Sequence, residues 1–265
     1  MTSTLHPAAN WSLKEEIRGY WSKRAETFDL AFGHRILPGP EHDAWAAVIA
    51  SHLGREPLTV LELASGTGEV TKVLLALGHR VTGIDFSEAM IARSRAKHRG
   101  NPNAVFVLGD AENTLEPDGA YDAVVCRHLV WTLTDPQAAL RDWHRALRPG
   151  GRLLVFDGDF VNLPWQGRLA KRAMALAERW TGPDGHRDPA LAADHARILR
   201  QLPFAGGLTF EGLAGLAREA GFGTVERGGY RAVVRAQRRV AASARDWART
   251  WLYDRFILTA RKPAG

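Results

Sequence analysis

The chain has 265 residues, 45% of them hydrophobic and 24% charged, with a formal net charge of +6. That length and balance suit one domain with insertions, or a domain with a small lobe, able to bury a full core without covalent staples. A single cysteine, Cys126, excludes an internal disulfide framework and a cysteine-based metal cluster, and fits a reducing cytoplasm.

The opening "MTSTLHPAANWSLKEEIRGYW" has no apolar leader core, and no later run approaches the roughly 18 apolar residues of a membrane span. A cytoplasmic protein without membrane insertion is expected. Only six of the 35 basic residues are lysine. The arginines are spread along the chain, denser after Arg227, and there is no zinc finger, RNP-type aromatic pattern or long basic block. Nucleic acid is therefore not the expected partner.

In chain order, "SLKEEIRGYWSKRAETFDLAF" sets Leu13, Ile17, Tyr20, Trp21 and Phe28 at helical spacing. After the break at Pro38, Gly39 and Pro40, "GPEHDAWAAVIASHLG" predicts a second helix ending near Gly54. From Leu58 strands and helices alternate. "LTVLELA", "RVTGID", "AVFVLGD", "YDAVVC" and "RLLVFDGD" are predicted strands. Between them lie "EVTKVLLALG", the Ser87-capped "SEAMIARSRAKHRG", and "DPQAALRDWHRALRPGG" with Asp135 as N-cap and Pro136 at the first helical position. Apolar strands separated by amphipathic helices predict a doubly wound, mostly parallel sheet covered on both faces. Past Asp159 the alternation stops. Residues 160–207 are irregularly helical, with loop signals at "TGPDGHRDP" and "LPFAGG". A Thr209-capped helix, a strand near "GTVERGGY", one helix over 233–251 and a last strand "DRFILTARK" complete the chain.

The first strand ends in "VLELASGTGEV", where Gly66 and Gly68 let a ligand approach the backbone at the start of a helix. A dinucleotide fingerprint needs a third small residue three positions after the second glycine. Here Thr71 stands there, and Glu69 directly follows Gly68. With Glu62 upstream, the loop is ill suited to a pyrophosphate and better suited to a ligand carrying positive charge.

"VLELASGTGE" resembles motif I of the class I S-adenosylmethionine (SAM) dependent methyltransferases, with Ala64-Ser65 in place of the commoner Gly-Cys. Further markers follow in order: "GIDFSEAMI", "VLGDAENTL" and "LRPGGRLLV". The resemblance covers residues 14–159 well and 208–262 in outline. It implies a seven-stranded Rossmann-like α/β fold divided into N-terminal helices over the cofactor (1–57), a SAM-binding core (58–159), a helical substrate lid (160–207), and the C-terminal helix and last strands (208–265).

The resemblance also implies roles. Gly66 and Gly68 lie against the methionine part of SAM, with the Ala64 carbonyl meeting its ammonium. Asp85 accepts the ribose hydroxyls, and Phe86 and Met90 pack on adenine or simply form helix core. Asp110, Ala111 and Glu112 receive the adenine edge. Tyr20 and Arg24, one helical turn apart, reach the methionine carboxylate, or Tyr20 is simply amphipathic core. In the loop facing the methyl group, Arg127 holds SAM or an anionic substrate or is a structural ion-pair partner, His128 is a base, a substrate anchor or a packed histidine, and Trp131 walls the pocket. Asp157 and Asp159 either steer a substrate amine or serve as turn residues. Trp165, Trp180, His186 and His195 fall in the lid, with His186 the better acceptor-binding candidate of its two histidines. No metal site is expected. The implied activity is methylation at N, O or C of a small polar or heteroaromatic metabolite by a monomer or homodimer. A lipid-quinone C-methyltransferase and a non-catalytic SAM-binding protein are the alternatives.

Overall fold

The computed structural model describes residues 7–181 and 189–265, with side chains for 12–179 and 190–265. Helix α1 (Pro7–Arg24) leads through a short 3-10 turn (Phe28–Leu30) to α2 (Pro40–Leu53). The alternating core follows: β1 (Thr59–Leu63), α3 (Glu69–Ala76), β2 (Arg80–Asp85), α4 (Glu88–Lys97), β3 (Ala104–Leu108), β4 (Tyr121–Arg127), α5 (Pro136–Ala146) and β5 (Leu147–Asp159). Then come α6 (Trp165–Thr181), α7 (Pro189–Leu199), α8 (Phe210–Glu219), β6 (Val225–Gly228), α9 (Arg231–Val240), α10 (Ala244–Arg249) and β7 (Asp254–Arg261).

The seven strands form one sheet in the order β3-β2-β1-β4-β5-β7-β6. β1 to β5 are parallel, and β7 runs antiparallel to both β5 and β6. Both faces are dry. On one, Leu140, Trp143, Leu213 and Ala217 of α5 and α8 pack on Leu61, Val124 and Leu153. On the other, Trp45, Ile49, Val73 and Val233 of α2, α3 and α9 pack on Val60, Val125 and Phe156. Two buried faces explain why the central strands are apolar runs without alternation.

The strand order reverses between β1 and β4, which opens a crevice beyond their carboxyl ends. Leu63 pairs with Cys126, so Ala64 and Arg127 emerge side by side at its rim. A third, small core joins Leu13 and Ile17 of α1 to Ile198 and Leu202 at α7, with Glu16 and Arg197 ion-paired outside it. These two helices lie over that rim.

Three predicted elements differ in detail. The N-terminal helix stops at Arg24, because the chain turns into the 3-10 segment instead of continuing through Phe28. The helix predicted over 233–251 is two helices. Ser243 is extended and its hydroxyl accepts from the Asp246 N–H, so it N-caps α10 and cannot also continue α9. β5 begins at Leu147 and absorbs the Pro-Gly-Gly turn, with a register shift opposite Tyr121–Ala123. The caps at Ser87, Asp135 and Thr209 each accept a first-turn N–H. The loop signal at 182–188 lies outside the described residues. Among the described residues no helix is long and apolar enough to cross a membrane.

Trp143 is fully buried under the sheet and its indole N–H donates to the Ala111 carbonyl at 2.7 Å. It therefore joins core packing to the end of the β3 segment. Trp143→Ala should lower unfolding free energy by about 3–5 kcal/mol in chemical denaturation.

Candidate active site

The site begins with a buried carboxylate. Asp85, last residue of β2, accepts the Gly66 N–H on one oxygen and the Ser87 N–H on the other, each at 2.9 Å. Burial pushes its pKa up to about 6, against the pull of these donors. One group thus shapes the 64–68 loop and starts α4. Each oxygen keeps a second acceptor site toward the crevice. Gly68 sits at φ 79°, and a Cβ there would meet the His98 ring at 2.7 Å. His98 Nε2 also lies 2.8 Å from the Gly68 carbonyl oxygen. Gly68 is therefore required both by its left-handed backbone and by a packed imidazole.

The two acids that gave the loop its negative character turn elsewhere. Glu69 is buried; it accepts the Ile36 N–H and pairs with Lys72 and Lys97. Burial favours its neutral form, but these donors prevail and hold its pKa near 2. It ties the 28–37 segment to α3. Glu62 is fully enclosed, accepts the Thr71 hydroxyl, and is raised by burial to about 7. The groups left free at this rim are donors: the Ser65 hydroxyl and Arg127 Nη1 are buried without a hydrogen-bond partner. Arg127 otherwise donates to the His34 carbonyl and lies over the Trp45 ring. An unpartnered buried guanidinium nitrogen is costly and fits a carboxylate supplied by a ligand. A methionine tail carries such a group, so the residues present fit SAM.

At the other end of the crevice, Ala64, Asp85, Phe86, Asp110 and Ala111 line a cavity of about 30 Å³ shared with Lys14, Ile17 and Leu129. Lys14 of α1 closes it, bridging Asp110 at 2.7 Å and Glu112 at 2.9 Å. Glu112 also lines the cavity, and its carboxylate is engaged by protein donors. Its oxygens accept from the Thr134 N–H and hydroxyl and from the Asp135 N–H, which anchors the start of α5. Met90 is buried in α4 and does not line the cavity, so it belongs to the helix core, whereas Phe86 does line it. Asp157 and Asp159 hold turns. Asp157 accepts the Val130 and Gly158 N–H groups, and Asp159 accepts those of Val161 and Asn162.

The loop after β4 turns sharply at His128, whose φ of 57° is unusual for a non-glycine residue. Its N–H donates to the Phe156 carbonyl at 2.8 Å, and its own carbonyl accepts the Trp131 indole N–H. Burial, with the nearby charges of Arg127 and Arg255, holds the His128 ring well below the ordinary imidazole pKa. A neutral ring that resists protonation is a poor base and a good hydrogen-bonding wall.

An aromatic array continues from here. Phe160 stands 5.3 Å from both His128 and Trp131 and 5.1 Å from Tyr253. Trp131 meets His195 edge-on, and His195 stacks on Tyr20 at 4.9 Å and 12°. Arg24, beside Tyr20, donates to the Thr27 hydroxyl. His195 Nε2 is buried without a partner, and burial lowers the pKa of the ring.

Phe160 was not singled out in the sequence, and His195 ranked behind His186 as an acceptor-binding candidate. His195 sits at an ordinary position of an amphipathic helix, and only the packing of α7 on α1 brings it to Trp131. His186 lies outside the described residues, as does the Trp180 side chain. Trp165, counted with the lid aromatics, is 61% exposed and joins no part of this array.

With β1–β5, the glycine loop and the acidic strand ends arranged in this way, the chain is similar to the class I SAM-dependent methyltransferases. The family model described as a methyltransferase domain matches residues 61–155. Among curated relatives, the ubiquinone/menaquinone biosynthesis C-methyltransferase of Methylobacterium nodulans is 32% identical over 142 residues, covering 51% of this chain and 56% of the relative. That match therefore spans little more than half of the relative's length. Among solved structures, phosphoethanolamine N-methyltransferase 2 of Haemonchus contortus in complex with S-adenosyl-L-methionine is similar at TM-score 0.62 and 14% identity, over 91% of this chain and 57% of that one. The 1,6-didemethyltoxoflavin-N1-methyltransferase of Burkholderia thailandensis, with its substrate and S-adenosylhomocysteine bound, gives TM-score 0.59 and 18% identity over 99% and 93%. At these identities the solved structures establish the shared fold.

The buried carboxylates make stability depend on pH. Glu62 and Asp157 at about 7 and Asp85 at about 6 lie above their ordinary values of 4.5, 3.8 and 3.8. Below those ordinary values both folded and unfolded chains are protonated; as pH rises toward 7 only the folded chain keeps its protons, so stability is lost. Glu69 acts oppositely, its contribution disappearing as pH falls from 4.5 toward 2. Glu62→Gln keeps an acceptor for Thr71 and removes one raised group. Thermal unfolding should then show a flatter decline between about pH 5 and 8, and a gain on the order of 1–3 kcal/mol at the alkaline end.

Proposed function

We propose that this chain transfers the methyl group of SAM to a small acceptor carrying a planar aromatic or heteroaromatic ring. The observation that carries the ring is the array of Tyr20, Trp131, Phe160, Tyr253, His128 and His195, joined at centroid distances of 4.9–5.4 Å beside the β4 loop. A flat acceptor gains stacking there, and the unpartnered His195 Nε2 hydrogen-bonds its polar edge. Asp85 takes the ribose hydroxyls, Asp110 and the Ala111 N–H take the adenine edge, and Arg127 takes the methionine carboxylate. The adenine amino group replaces the Lys14 ammonium at Asp110, which requires α1 to shift.

SAM brings an already activated methyl group, so the protein contributes position and aim more than bond polarisation. Neutral His128 and His195 fit the role of acceptor-binding groups better than that of strong bases, because burial disfavours their imidazolium forms. A cytoplasmic location and a small-molecule partner accompany this reading. The relative named for quinone synthesis supports a second acceptor, a quinone ring methylated at carbon. A groove of about 840 Å³, lined by Leu30, Met174 and Val240 together with charged side chains such as Arg35 and Arg249, has room for the tail of such a molecule.

Two measurements test the proposal. Calorimetry should show S-adenosylhomocysteine binding and none of NAD, with Asp85→Asn weakening it about 100-fold through two lost charge-assisted hydrogen bonds. Binding of NAD with no response to S-adenosylhomocysteine would overturn the cofactor assignment. His195→Ala should raise KM for a ring acceptor about tenfold, the value of one hydrogen bond, while cofactor affinity stays within error. An unchanged KM on a turned-over ring substrate would remove His195 from the site.

A further inference from the structure

Helix α6 carries two parallel stripes that the proposed chemistry does not use. Trp165, Leu169 and Leu176 recur at i, i+4 and i+11, so they share one face, and they are 61%, 53% and 58% exposed. Arg168, Arg172 and Arg179 repeat the same spacing three residues later, which sets a basic stripe along one flank of the apolar one. Lys171 adds a fourth cation. Among the described residues none of these four forms an ion pair; Arg168 donates to the Leu163 carbonyl, and Glu178 is the only acid on the helix.

The helix is fixed to the body from the opposite side. Gly167 is packed so closely on the Trp251–Leu252 backbone that a side chain would collide there, and Met174 and Ala177 line the groove shared with α10 and Leu30. Val161, 46% exposed, extends the apolar surface before the helix, beside Arg168 and Arg172. Exposed tryptophan and leucine side chains gain nothing in water, and unpaired cations beside them repel one another.

We infer that α6 is a membrane-surface helix that docks on an anionic lipid bilayer. Trp165, Leu169 and Leu176 enter the headgroup–acyl boundary, and Arg168, Lys171, Arg172 and Arg179 meet lipid phosphates, their alkyl stems lying along the apolar side. The chain lies on the bilayer and does not span it. Charge complementarity selects this occupant: a second copy of the chain would set the same cations against each other, and nucleic acid would leave the apolar stripe in water. The inference is independent of the methyl acceptor.

The test is flotation of the full chain with vesicles of phosphatidylcholine alone or mixed with phosphatidylglycerol, at low and high salt. The mixed vesicles should carry the protein at low salt, and binding should fall as salt rises. Arg168→Glu/Arg172→Glu should weaken the partition by about 100-fold or more, and Trp165→Ser/Leu169→Ser should release the protein from both vesicle types. S-adenosylhomocysteine affinity of each variant, read by calorimetry, should stay at the parent value, which shows that the fold persists. Failure to float with anionic vesicles overturns the inference. So does binding of either variant at the parent level, or a dimer in light scattering that Trp165→Ser/Leu169→Ser dissolves.

Discussion

The constraint on which the site depends is the burial of Asp85 between two backbone donors. Its carboxylate fixes Gly66 on one side and Ser87 on the other. The glycine loop, the start of α4 and the crevice at the strand reversal therefore share one anchor. That anchor is under-satisfied for a carboxylate with its pKa raised to about 6. Such a group is stabilised by further hydroxyl donors, which a ribose supplies. Ionisation of Asp85 and occupation of the crevice are thus linked: a ligand that donates hydrogen bonds favours the charged form.

Above this anchor the covering layer is held by ion pairs of a different kind. Lys14 reaches from α1 into the acidic strand end, and Lys97 with Lys72 ties Glu69 to the segment before α2. The Lys14 and Lys97 contacts join segments far apart in sequence, whereas Lys72 and Glu69 lie one turn apart on α3. The small Leu13, Ile17, Ile198 and Leu202 core is the only apolar cluster joining α1 and α7 among the described residues. The closed crevice is consequently a matter of a few charged contacts, whereas the sheet below rests on two extensive dry faces. An opening of α1 disturbs the former and leaves the latter intact.

Much of the core was legible because its signals are local. Helix caps at Ser87, Asp135 and Thr209 need only a side-chain oxygen and an N–H three residues away. Strands buried on both faces announce themselves as apolar runs. Asp85 and Asp110 were legible as acids at or just past strand ends, and both line the cavity. Glu62 and Glu69 misled: a charge adjacent in sequence to a glycine loop need not face its ligand, and both point to protein partners. Glu112 lines the cavity while its oxygens anchor the start of α5, and Met90 packs within α4 away from the cavity. The single helix expected over 233–251 failed because helical periodicity continued across a serine that caps a new helix.

The sequence by itself determined the doubly wound, mostly parallel sheet and the loop that brings a ligand against the backbone, while the reversal of strand order between β1 and β4 came from the tertiary structure. The sheet and the loop follow from periodicity, capping and a pair of glycines within a few residues. Only the tertiary structure decided which charges remain free. Arg127 Nη1 is left without an acceptor, Lys14 is committed to Asp110, and His195 is carried on α7 to Tyr20 and Trp131. These outcomes depend on contacts between segments up to 181 residues apart, as between Glu16 and Arg197. No local pattern encodes such a pairing, because it is set by how whole helices settle on a finished sheet.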